Sequence, residues 1–125
     1  MDPSTERILT AVIDRIIPGD DFPSASQAGV MTYIKRILTL EAKPFEPALV
    51  ELVADIDTAA RNTVGKPFVD LNTEQQDGVL RTLESTPAFH RLVGLTSEGF
   101  YADPGNGGNL NYVSWKMVGY KGEPS

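Results

Sequence analysis

Residues 4–18, Ser4-Thr5-Glu6-Arg7-Ile8-Leu9-Thr10-Ala11-Val12-Ile13-Asp14-Arg15-Ile16-Ile17-Pro18, decide the fold class. Ile8, Leu9, Val12, Ile13, Ile16 and Ile17 recur at helical spacing and make one apolar stripe. The predicted helix covers Ser4 to Ile17, with Ser4 as N-cap and Glu6 placed to favour the helix dipole. Arg7, Asp14 and Arg15 fall off the stripe, so Asp14 is expected on the solvated face. Pro18 stops the helix, because it restricts Ile17 and lacks a backbone donor.

The same period recurs along the chain. A capping box, Ser24-Ala25-Ser26-Gln27, opens a second predicted helix that fades near Leu40. Its buried face is Ala28, Tyr33, Ile34, Ile37 and Leu38. Gly29 inside it costs roughly 1 kcal/mol relative to alanine, which suggests close backbone packing. A third helix is predicted over 45–63, with Pro47 in its first turn and Gly65 as its stop. Residues 66–69 read as an extended link, with Phe68 plugging the core. Thr73-Glu74-Gln75-Gln76 reads as a further capping box, opening a helix to about Glu84. A fifth starts at Pro87, buries Phe89, Leu92 and Val93, reaches about Ser97 and is ended by Gly99. No strand pair, internal repeat or second domain is visible. The expected fold is one all-α domain over residues 1–125, a bundle of about five helices.

Across this bundle the sequence places an irregular cover, FYADPGNGGNLNYVSWKMVGY at 100–120. It holds the only tryptophan, Trp115, and three of the four tyrosines. Its first half has no period, and long stretches of that kind are functional or disordered. Aromatics at this density favour burial, so an ordered segment packed across the body is expected, with a helical turn or two over 112–118.

Composition removes several classes of function. The chain has 125 residues and no cysteine, which excludes disulfides, thiolate zinc sites and iron–sulfur ligation. The formal charge of −6 disfavours nucleic acid and anionic membrane surfaces. No apolar run approaches the roughly 18 residues of a spanning helix, so no direct membrane insertion is expected. Nor does a basic-then-apolar export signal open the sequence, so a cytoplasmic location is expected unless a signal was trimmed or a partner carries the chain out.

A search for reaction chemistry returns little. Asp20 and Asp21 lie in the Gly19–Pro23 connector without the alternating oxygen ligands of a calcium loop. They read as turn residues accepting backbone N–H bonds, with a metal or acid–base role as the alternative. The only histidine, His90, has no second imidazole and no adjacent ligand set. Gly105, Gly107 and Gly108 lack the Lys-Ser/Thr ending of a phosphate loop. No catalytic, cofactor or metal set emerges. What remains is recognition of another polypeptide, for which aromatic anchors are the usual carriers of affinity. The candidate contact residues are Pro18, Asp20, Asp21, Phe22, Phe100, Tyr101, Tyr112, Trp115 and Tyr120. For Phe100 and Trp115 the alternative is the chain's own core. A competing reading makes the chain a stand-alone enzyme using Asp20, Asp21, Asp103 and His90, which requires them to meet in the fold.

The segment from Ile16-Ile17-Pro18-Gly19-Asp20-Asp21-Phe22-Pro23 to Ala25, with Gly99–Pro104, Gly107-Gly108-Asn109 and Trp115 through Tyr120, resembles the gluconate 2-dehydrogenase subunit 3 family. The resemblance spans nearly the whole chain. It implies a small helical subunit, without catalytic residues of its own, of a sugar dehydrogenase. The implied partner is a flavoprotein of the glucose–methanol–choline type that binds FAD, and in many systems a cytochrome c subunit takes the electrons. The small subunit supports folding, stability and often export of that partner. Many members begin with a twin-arginine signal, which this sequence does not show. In that respect it is similar to cytoplasmic forms such as glucoside 3-dehydrogenases.

Overall fold

In the computed structural model, residues 1–19 and 23–102 are described. They form five α-helices and no strand: α1 (Pro3–Ile16), α2 (Val30–Ile37), α3 (Glu46–Thr63), α4 (Thr73–Arg81) and α5 (Pro87–Tyr101). The all-α expectation holds for these residues. The irregular cover expected over 100–120 starts as helix, since Phe100 and Tyr101 close α5, and its remainder lies outside the described residues.

The N-cap of α1 lies two residues before the expected Ser4. Asp2 caps it, accepting the Thr5 N–H at 2.7 Å, which leaves Pro3 in the first turn, where its missing donor costs nothing. That same bond holds the Asp2 carboxyl below its ordinary 3.8. The stripe behaves as its period requires: Leu9, Val12, Ile13, Ile16 and Ile17 are all buried. Each large aliphatic side chain removed from water in this way contributes about 1.5–3 kcal/mol.

Asp14 departs from its expected role. Its carboxylate accepts two bonds from Ser26, from the backbone N–H at 2.7 Å and from Oγ at 2.6 Å. It therefore ties the end of α1 to the turn that precedes α2, and it is only partly exposed. Arg15 also reaches across the fold. Its guanidinium grips Asp77 of α4 in a fork, Nε at 2.8 Å and Nη2 at 3.0 Å.

The box at Ser24 forms, but it does not open a continuous helix. Gln27 Oε1 accepts the Ser24 N–H and Ser24 Oγ accepts the Gln27 N–H. One turn follows, closed by Ala28 N–H on Ser24 O, and then Gly29 adopts φ 81°. The Gly29 and Val30 N–H groups fold back onto Ser26 O and Ala25 O, as at a helix C-terminus. α2 starts afresh at Val30. A Cβ at Gly29 would meet nothing within 4 Å, so the glycine is there for its backbone angle and not for close packing.

α3 matches its expected span to within a residue and stops at Gly65, φ 88°. The link after it holds a short 3₁₀ turn, Phe68–Asp70, where an extended link was expected. Phe68 is fully buried, as expected, and its backbone is held at both ends. Its N–H donates to Asp57 Oδ1 at 2.9 Å and its carbonyl accepts from Gln76 Nε2 at 3.0 Å. Gln76 is thus a buried structural residue, and the capping box sits one position earlier than the sequence suggests, between Asn72 and Gln75. α5 opens on Pro87 behind the Thr86 cap and runs past Gly99 to Tyr101.

α1 packs against α3, α4 and α5, α3 touches α4 and α5, and α2 packs chiefly on α5. The shared interior is Leu9, Ile13, Ile34, Leu49, Ile56, Phe68, Phe89, Leu92 and Phe100. α5 therefore runs along the whole body and meets a different neighbour at each end.

Candidate partner-docking surface

At the C-terminal end of α5 the helix is pressed onto α2. A Cβ at Gly99 would stand 2.9 Å from Tyr33 Cδ2 and 3.2 Å from Tyr33 Cβ, so only glycine lets this ring lie flat on the helix. Tyr33 Oη donates to Glu98 Oε1 at 3.2 Å, and the Arg36 guanidinium lies 5.6 Å from the ring centroid. Burial raises the Tyr33 phenol above its ordinary 10.0, and the Glu98 carboxylate pushes the same way. Phe100 is 2% exposed and belongs to the chain's own core. Tyr101, the next residue, is 40% exposed. Of the aromatics proposed as contacts, these two are described, one buried and the other exposed. Tyr112, Trp115 and Tyr120 lie outside the described residues.

The turn after α1 is described up to Gly19. Pro18 is half-buried there, and a Cβ at Gly19 would come within 3.0 Å of Ser24 N, so the two stems of the connector are close. Asp20, Asp21 and Phe22 lie outside the described residues, as does Asp103. His90 is exposed on α5. Among the described residues no group of three or more His, Cys, Asp or Glu side chains could hold a metal ion. No helix among them is long and apolar enough to cross a membrane.

The N-terminal end of α5 is open. There the linker after α2, the start of α3 and the first turns of α5 enclose a groove of about 450 Å³. Its apolar lining comes from Ala42, Pro44, Phe45, Ala48, Pro87 and Ala88. Glu41 lines it from the linker and Arg91 from α5, where the guanidinium lies 5.7 Å from the centroid of the Phe45 ring. Leu40, just before Glu41, is 58% exposed and is the other large hydrophobic on the described surface besides Tyr101. Sequence reasoning passed over this groove. Its residues come from segments about 40 positions apart, and prolines and alanines at helix starts read as punctuation. The one signal was the pairing of two proline-led helix starts with a Leu at the ragged end of α2.

Compared with known protein families, residues 3–122 match the family described as gluconate 2-dehydrogenase subunit 3. Neither a curated protein nor a solved structure matches the chain.

Proposed function

The chain belongs to the gluconate 2-dehydrogenase subunit 3 family, and from that membership we propose that it is a non-catalytic accessory subunit that binds and stabilises the catalytic subunit of a sugar dehydrogenase. The observation that carries this reading is the family match, which runs through nearly every element of the fold. In this reading the partner is a FAD-dependent enzyme of the glucose–methanol–choline type, a glucoside 3-dehydrogenase being one form. The flavin sits in the partner, electrons leave by way of the partner or a cytochrome c subunit, and this chain helps the flavoprotein fold and load its cofactor. A cytoplasmic location goes with that form, and a periplasmic one with export alongside the partner.

The described surface is compatible with a docking role. Two large hydrophobic side chains, Leu40 and Tyr101, are exposed on it. Aromatic anchors of this type commonly supply most of an interface's affinity. Tyr101, together with Pro18 and the residues outside the described set (Asp20, Asp21, Phe22, Tyr112, Trp115 and Tyr120), makes up the proposed contact, while Phe100 is left to the chain's own core.

Co-expression with a FAD-dependent sugar dehydrogenase from the same genome tests the proposal. The expected result is a stoichiometric complex whose flavin content and sugar-oxidising activity fall when this chain is left out. A flavoprotein equally soluble, flavin-loaded and active alone would contradict it. So would sugar turnover by this chain in isolation, the outcome required by an enzyme built on Asp20, Asp21 and His90.

A further inference from the structure

We infer that the groove between residues 41–48 and 87–91 is a second contact with the catalytic subunit, and that it takes an extended segment of that subunit carrying an apolar side chain next to a carboxylate. The inference rests on the accessory-subunit reading above, and it places a contact where no candidate residue had been assigned.

Three features of the groove argue for this occupant. Its floor is apolar and preformed: Ala42 is 1% exposed, while Pro44, Ala48 and Pro87 are open to solvent. Prolines and helix-borne alanines lose little conformational freedom when a ligand covers them, which favours binding. Its charged groups can select a segment. Arg91 lies over the Phe45 ring, a placement that leaves the guanidinium's edge donors to meet a carboxylate in the forked geometry that arginine favours. Glu41, on the linker, can meet a basic or N–H donor further along the same segment. Leu40, next in sequence to the lining residue Glu41, is a further exposed apolar side chain on the same linker. An open trough with opposite charges in its lining suits a strip of polypeptide better than a small molecule, which is usually enclosed on most sides.

The test measures binding of the flavoprotein co-expressed with this chain to three forms of it: wild type, Ala48→Arg and Arg91→Glu. Both substituted residues are exposed. Ala48→Arg fills the groove and Arg91→Glu repels the carboxylate, and thermal unfolding of each isolated chain establishes that it is folded. The expected result is at least a tenfold loss of affinity in both variants at nearly unchanged unfolding temperature. A photo-crosslinker at position 48 should then join wild-type chain to one acidic segment of the flavoprotein. Wild-type binding with both variants equal to it overturns this inference and leaves the accessory role standing. No wild-type binding overturns the accessory role and the inference together. Loss of a wild-type homodimer in the variants, with flavoprotein binding intact, would assign the groove to a second copy of this chain and would also overturn it. Should Ala48→Arg fail to fold, Arg91→Glu and the crosslink decide the matter alone.

Discussion

The two ends of α5 solve the same packing problem in opposite ways. At its C-terminal end, Gly99 lets Tyr33 lie against the helix, and Phe100 is driven into the core beside it. At its N-terminal end, Pro87, Ala88 and Arg91 face Pro44, Phe45 and Ala48 across an open groove. One helix thus spends its bulk on cohesion at one end and leaves small, rigid side chains at the other. The contrast separates residues that hold this chain together from those available to another chain.

That contrast is easiest to break at the sealed end. Phe100→Ala should destabilise the isolated chain by about 3–5 kcal/mol, since it deletes a buried ring. Urea unfolding measures this, and a loss under about 1 kcal/mol would mean the ring is not anchored in the core. Gly99→Val should cost roughly 2–3 kcal/mol, because the added atoms have to displace the root of the Tyr33 side chain, not its mobile tip. An unaltered unfolding midpoint would show that Tyr33 can move aside. At the open end, Ala48→Arg should change stability by no more than about 0.5 kcal/mol, as surface changes usually do. A large loss there would mean that the groove is part of the chain's own packing.

The smallest effect concerns pH. The Tyr33 phenol is raised by burial and by Glu98, so the folded state favours its neutral form. Its contribution to stability is fully present below the ordinary value of 10.0 and fades as pH rises through the higher folded value. An absorbance titration of the folded chain should show a tyrosine ionising above 10.0 that Tyr33→Phe removes. If the same component persists in that variant, it belongs to another tyrosine and Tyr33 is not the raised group.

Much of this was legible in the sequence. The stripes of α1 and α3 and the Pro87 start of α5 follow from period and punctuation, because long amphipathic helices bury one face whatever their neighbours. What was not legible depends on atoms distant in sequence. Asp14 looked solvated because its Ser26 partners arrive through a turn that helical spacing cannot show. Gly29 and Gly99 were read the wrong way round. The first needs a positive φ and the second needs room for Tyr33, and a bare glycine cannot say which. The box reads one residue late in the sequence because Thr73 is also a capping type, although Asn72 is the better one. Of the candidate contacts, Phe100 could be core or surface until α5 was seen to continue past Gly99. The groove at the other end is built from residues of weak individual signal, and only tertiary packing brings them together.

The proposed function has this chain holding a flavin-bearing catalytic subunit. The most direct measurement is the flavin content and yield of that subunit, purified after expression with and without this chain. The expected result is a stable complex and a several-fold fall in flavin-loaded enzyme when the chain is absent. Equal yield, equal flavin content and no co-purification would contradict it.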